Sequence, residues 1–234
     1  MIPPDSKNTI ECENCHLRLL CFPSCANNSE DRNYFNNITK KGIVIPKNST
    51  IFNQGDYSSH IYIVRSGNIK ITKKISENLE QVIGFYLPGD IIEIENINSD
   101  IYQSNAVATQ RSSVCSIQTN ELKNIKITDF QFYLLNLAIK EIQTIKNVNK
   151  IIHLNSRQKI AIFLYTLISR YKEKKICHNY FPLPMSKKDI SNFLGVTPET
   201  FSRILTQFKN ENIITSKGNM ILILDEYKII KIIG

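Results

Sequence analysis

The residues best suited to chemistry crowd into one short stretch. Residues 10–25 read IECENCHLRLLCFPSC, and four of the six cysteines lie there, Cys12, Cys15, Cys21 and Cys25. Two residues separate Cys12 from Cys15, and five separate Cys15 from Cys21. A C-x2-C pair puts two thiolates on one side of a tight turn, within reach of one metal centre. A third cysteine a turn or two later can close on the same centre. Thiolates are soft ligands suited to zinc, copper(I) and iron–sulfur clusters. Such centres commonly take four protein ligands. The fourth is therefore Cys25, or it comes from far along the chain, where Cys115 and Cys177 stand.

A second group sits near the other end. Residues 186–209 read SKKDISNFLGVTPETFSRILTQFK. Ser186 can cap a helix over Lys187–Leu194, with Ile190 and Leu194 inward, and Gly195 suits a sharp turn. Thr197 is a good N-cap, and Pro198 falls at the first helical position, where its missing N–H costs nothing. The spacing then predicts a second helix from Pro198 to about Lys209. Phe201, Ile204, Leu205 and Phe208 form its inner face. Glu199, Ser202 and Arg203 share the outer face within its first two turns. Polar groups at the start of the second helix of such a pair suit the major groove of DNA. Ile213–Ser216, Lys217-Gly218-Asn219 and Met220–Leu224 read as a hairpin wing.

The charge agrees with that placement. Residues 1–155 carry 16 Lys+Arg against 15 Asp+Glu, whereas residues 156–234 carry 13 against 6. A neutral half joined to a basic half suggests a sensor or scaffold plus a polyanion-binding module. Apolar content of 42% and charged content of 21% are those of a globular chain. The stretch MIPPDSKNT lacks the basic and apolar regions of a secretory signal, and no apolar run is long enough to span a membrane. The expectation is a cytoplasmic protein, whose clustered thiols bind metal rather than form disulfides.

Between the two groups lie the elements that must position them. Lys41–Thr119 holds short β-rich runs: Ile43–Ile45, Ser49–Phe52, Ile61–Val64, Ile69–Lys73, Gln81–Tyr86, Asn105–Thr109 and Ser113–Ile117. Turn signals punctuate them at Gly55-Asp56, Ser66-Gly67-Asn68 and Pro88-Gly89-Asp90, which indicates an antiparallel barrel, roll or sandwich. From Asp129 the period becomes helical. Phe130, Leu134, Leu137, Glu141, Val148 and Ile152 fall along one stripe of a long helix, and Leu135, Ile139 and Ile142 along another. Two stripes imply two partners, the roll and a second helix. A break near His153–Ser156, with Ser156 as cap, precedes an amphipathic helix over Arg157–Tyr171.

A β-roll, one long helix and a winged helix-turn-helix, in that order, resemble the CRP/FNR superfamily of bacterial transcription regulators. The resemblance is most specific at CENCHLRLLCFP (12–23), YIVRSGNIK (62–70), GFYLPGD (84–90) and LGVTPETFSRIL (194–205). The cysteine arm looks like that of the FNR branch, the oxygen-responsive regulators of anaerobic metabolism. The implied fold is α+β, with a cysteine arm at 1–26 and an antiparallel, cyclic-nucleotide-binding-like roll at 27–127. A dimerisation helix would follow at 128–155 and a winged helix-turn-helix at 156–234. The implied cofactor is a 4Fe–4S cluster on Cys12, Cys15, Cys21 and, in SSVCSIQ, Cys115. The implied assembly is a homodimer paired through Leu134, Leu137, Glu141, Val148 and Ile152, with double-stranded DNA and RNA polymerase as partners. Glu199, Ser202 and Arg203 match the E-x-x-S-R positions that read TTGAT-N4-ATCAA, and Thr197, Lys187 and Lys188 complete the DNA-facing set. An arginine usual in the CRP branch just before the glutamate is replaced by Pro198.

Some residues depart from the pattern. Cys25 is a spare thiol beside the arm and reads as a buried one. His16 follows the second cysteine, where a small residue is familiar in the FNR branch. Lys146 repeats a charge across the expected two-fold, and Cys177 reads as an inert linker thiol. A cyclic-nucleotide-responsive regulator is the first rival, but Gln103-Ser104 stands where its phosphate-binding arginine would be, and Asp90-Ile91-Ile92-Glu93 replaces its G-E-L segment. A thiol–disulfide or electron-transfer enzyme would explain the C-x2-C pair but not the recognition helix. A zinc-stabilised regulator remains open, since zinc also accepts four thiolates.

Overall fold

Period-two burial organises the first half of the chain, and helical burial the second. The computed structural model describes residues 15, 17, 29–77, 79–92, 99–123, 154–175 and 180–234. The chain divides into two units, Met1–Ile142 and Gln143–Gly234.

In the first unit, α1 (Ser29–Ile38) leads into β1 (Thr39–Ile45), β2 (Thr50–Phe52), β3 (His60–Ser66) and β4 (Ile69–Ser76). β5 (Leu79–Tyr86), β6 (Ile91–Ile92), β7 (Asn105–Ala108), β8 (Ser112–Gln118) and α2 (Thr119–Lys123) follow. Among the described residues they form two four-stranded antiparallel sheets, ordered β1-β8-β3-β6 and β2-β7-β4-β5. Both sheets feed one core, with Ile45, Val64 and Val114 from the first and Phe52, Ile71 and Ala106 from the second. The expected roll is present. Inside it the Phe52 and Tyr102 rings stack with centroids 3.9 Å apart, and Tyr62 stacks on Phe52 at 5.6 Å. Tyr102 Oη donates to the His60 carbonyl at 2.8 Å, so the stack is anchored as well as buried.

The turn between β3 and β4 needs its glycine. Gly67 has φ +77°, and a Cβ there would lie 2.7 Å from Ser112 Cα, so backbone meets backbone with no room for a side chain. The hairpin beyond it is longer than its alternation predicts. Pairing runs from Ile69↔Tyr86 to Ser76↔Leu79, through register shifts at Ile71/Thr72 and Lys74/Ser76. Those irregularities break the period-two pattern in the sequence without ending the ladder.

The second unit comprises α3 (Ser156–Glu173), β9 (Phe181–Pro182), α4 (Lys187–Leu194) and α5 (Pro198–Asn210). β10 (Ile214–Lys217), β11 (Met220–Ile223) and α6 (Glu226–Ile233) complete it. Ile160, Leu164, Leu167 and Phe201 are fully buried and form its apolar interior. The start of α3 corrects the expectation that Ser156 is the cap. Asn155 takes that role, because its side chain accepts from the Gln158 N–H at 3.0 Å while Gln158 Oε1 accepts from the Asn155 N–H. This reciprocal box satisfies two donors that a Ser156 cap would leave to water. The wing gains an unexpected third strand: the sheet order is β10-β11-β9, with Ile221 paired to Phe181. α1, α2 and α6 were likewise not expected from the pattern.

The expected long helix lies outside the described residues, as do its seam positions Leu134, Leu137, Glu141, Val148 and Ile152, and Lys146. No described helix is long and apolar enough to cross a membrane.

Candidate nucleic-acid interface and cysteine site

Local hydrogen bonds shape the helix-turn-helix. Ser186 Oγ accepts from the Asp189 N–H at 3.1 Å and starts α4. Gly195 ends it in the left-handed region at φ 64°, with its N–H returned to α4 carbonyls. Thr197 Oγ1 accepts from the Thr200 N–H at 3.2 Å, and Pro198 opens α5. Phe201, Ile204, Leu205 and Phe208 are buried as expected. That leaves Glu199 and Arg203 exposed and Ser202 half-buried, together on the first two turns. Lys187 and Lys188 are exposed at the start of α4. The wing turns at Gly218-Asn219, where the Asn219 side chain donates to the Leu183 carbonyl at 3.2 Å.

A brace holds the far end of α5. Arg157 Nη2 lies 2.5 Å from Glu211 Oε2, and its guanidinium carbon sits 4.9 Å from the centre of the Phe208 ring. That hydrogen bond holds the Glu211 carboxyl below the usual carboxylate range. Arg157 ties the first turn of α3 to the residue that caps α5. The sequence carried no local signal for this contact, because 54 positions separate the partners.

The cysteine site is assembled differently. Cys115 lies on β8, directly opposite Ile63 of β3. Its neighbour Val114 points into the roll core, so strand alternation turns Cys115 to the other face. There it is partly buried. Burial pushes its thiol up, opposed by a hydrogen bond from the Gly42 N–H and by the charges of Arg65 and Lys41. Cys15, from the N-terminal arm, lies close enough for its charge to push the same thiol up further. The arm's other described residue, Leu17, is buried at 2% exposure. Of the four expected ligands, the described residues include Cys15 and Cys115, within electrostatic range of each other. Cys12 and Cys21 lie outside the described residues, as do His16, Cys25 and Cys177. Among the described residues no group of three or more metal-ligating side chains forms. Sequence reasoning missed Gly42 and Arg65. The signal was an isolated glycine inside a strand pattern, KKGIVI, which marks a bulge.

A roll followed by a winged helix-turn-helix with an exposed polar face defines a DNA-binding transcription regulator. Comparisons with known proteins place it further. Residues 158–232 match the family described as Crp-like helix-turn-helix domain, and residues 43–129 match the one described as Cyclic nucleotide-binding domain. The fumarate and nitrate reduction regulatory protein of Vibrio cholerae is 31% identical over 228 residues, covering 96% of this chain and 91% of that one. The transcriptional activator protein FnrA of Stutzerimonas stutzeri is 29% identical over 226 residues, covering 95% and 92%. FixK2 of Bradyrhizobium japonicum shares the fold, with a TM-score of 0.74 at 22% identity over 82% of this chain and 96% of that one. The chain belongs to the CRP/FNR superfamily of transcription regulators, a family of DNA-binding proteins and not of enzymes. Within it, this is a regulator of FNR type.

Proposed function

We propose that this regulator responds to oxygen and governs anaerobic metabolism through a 4Fe–4S cluster held by Cys12, Cys15, Cys21 and Cys115. The observation that carries the reading is the approach of Cys15 to Cys115, a hundred positions apart in sequence. A thiol from the arm comes within electrostatic range of one on β8, on a surface supplied with an N–H donor and two cations. That surroundings suit an anionic, sulfur-rich group. The Vibrio relative's name, which refers to fumarate and nitrate reduction, points to the same metabolism.

When bound, the cluster supplies an oxygen-labile link between the arm and the roll. The protein's own residues do the rest. Cys15 and Cys115 would hold the group between the arm and β8. Leu134, Leu137, Glu141, Val148 and Ile152 pair two copies across a two-fold, which matches a palindromic site. Arg203 donates to a guanine edge, and Glu199 accepts from a cytosine amino group, with Ser202 beside them. Thr197, Lys187 and Lys188 stand toward the phosphates and set the register. The site read is of the TTGAT-N4-ATCAA type, and RNA polymerase is the partner at promoters. The same thiols would also hold zinc.

Anaerobic purification separates the two metals. The expected product is brown, carries iron and acid-labile sulfide in equal amounts, and loses its visible absorbance in air. A colourless protein carrying zinc and no sulfide would overturn the cluster reading and leave the DNA reading standing.

A further inference from the structure

The two strands that flank β8 are both irregular near Cys115. On one side, Lys40 pairs with Ser116 and Ile43 with Val114, so Lys41 and Gly42 together face the single residue Cys115. On the other side, Val64 pairs with Val114 and Ser66 with Ser113, so Arg65 is an extra residue in β3. The first bulge thus faces Cys115 itself, and the second falls one residue away, between Val114 and Ser113. A bulge re-aims a side chain or a backbone group that a regular ladder would direct elsewhere. Here the β1 bulge sets the Gly42 backbone opposite Cys115, and the Arg65 guanidinium rests against that glycine.

Glycine is favoured at the first bulge. Its φ is +66°, in the left-handed region. A Cβ on it would also lie 2.8 Å from Arg65 Nη1, so the guanidinium rests directly over the bulged backbone. The glycine and the arginine are therefore one device. Without the glycine, the arginine must move. The roll core does not need this arrangement, because the core face of the same strands is filled by Ile45, Val64 and Val114.

We propose that Gly42 and Arg65 form a seat for the Cys115 sulfur that raises the reduction potential of the group Cys115 ligates. Arg65 supplies the charge, and Gly42 is the positioning residue. The proposal rests on the reading of Cys115 as a cluster ligand. The physical basis is general. Hydrogen bonds to a ligating sulfur and positive charge beside it stabilise the more negative, reduced state of an iron–sulfur centre. Lys41 adds to the charge from the same bulge.

The test uses the full-length protein purified without oxygen, as wild type, Arg65→Gln, Arg65→Lys and Gly42→Ala. Three quantities are measured on each: iron and sulfide per chain, the midpoint potential in a redox titration followed by visible absorbance, and the thermal midpoint of the cluster-free protein. Arg65→Gln is expected to move the potential to more negative values at unchanged thermal midpoint, and Arg65→Lys to restore most of the difference. Gly42→Ala is expected to move it in the same direction, by displacing Arg65. A folded Arg65→Gln protein that holds no cluster while Arg65→Lys holds one also supports the seat. An Arg65→Gln potential equal to wild type at full iron and sulfide load overturns it and leaves Cys115 as a ligand. Equal changes in Arg65→Gln and Arg65→Lys, with a lowered thermal midpoint in both, overturn it too, because they mark a structural brace. A wild type that holds no iron or sulfide takes down the ligand reading itself, and the seat with it.

Discussion

The DNA-reading segment and the cysteine site are built by opposite routes. In residues 186–209 the bonds that set the geometry are local: Ser186 to Asp189, Gly195 to Ser191 and Asn192, Thr197 to Thr200. In the cysteine site, by contrast, Cys115 takes its neighbours from the arm, from β1 and from β3. A site made of short-range bonds is specified wherever its sequence occurs. A site made by strand register exists only after the sheet has formed, and one slipped residue would turn Cys115 into the core.

The largest effect should fall on the register-built site. Cys115→Ser should abolish the anaerobic iron and sulfide load, because one missing thiolate opens the centre, whereas Cys25→Ser should keep it. A Cys115→Ser protein with full load beside an empty Cys25→Ser protein would show that the fourth ligand is Cys25. The next effect tests the independence of the other site. Phe208 is fully buried, so Phe208→Ala should destabilise the second unit by about 3–5 kcal/mol in chemical denaturation. Iron and sulfide in the first unit should be unchanged. Loss of both together would mean that the two sites share one folding unit.

Within the DNA-reading segment the contrast is between base and phosphate. Arg203→Ala should lose roughly 1–3 kcal/mol on a TTGAT-type duplex and relax discrimination at its guanine. Lys188→Ala should weaken binding to all duplexes and make the salt dependence shallower by about one unit. Titrations of matched and guanine-substituted duplexes at several salt concentrations distinguish them. An Arg203→Ala loss of equal size on both duplexes would make Arg203 a backbone contact.

The smallest effect concerns a long-range brace beside the locally built site. A double-mutant cycle on Arg157 and Glu211 should give about 0.2–1 kcal/mol at neutral pH, as for other exposed pairs. The folded Glu211 carboxyl is held below its unfolded value, so this coupling is present above the unfolded pKa. It should be lost as pH falls through the folded one. A coupling that survives in acid would instead reflect packing of Arg157 on Phe208.

The same contrast explains what could be read in advance. The caps at Ser186 and Thr197, the turn at Gly195 and the inner face of α5 follow from residue chemistry at fixed short spacings. The cap at Asn155 was missed by one position, because Ser156 is an equally good cap by type, and only the reciprocal bond with Gln158 decides between them. β9 was missed because two residues, Phe181 and Pro182, carry no period of their own. They become a strand only when β11 offers its edge.

The sequence by itself determined that a roll precedes a winged helix-turn-helix, the basic second half, the second helix of that pair with its exposed face, and the spacing of the cysteine arm. Each follows from the period of apolar residues, from capping, or from the chemistry of thiolates, all of which act over a few positions. Only the tertiary structure decided that Cys15 comes near enough to Cys115 for its charge to be felt, that Gly42 bulges opposite that thiol with Arg65 against it, and that Arg157 reaches Glu211. Those contacts join residues far apart in the chain, and their geometry is set by sheet register and helix packing, which no local pattern encodes.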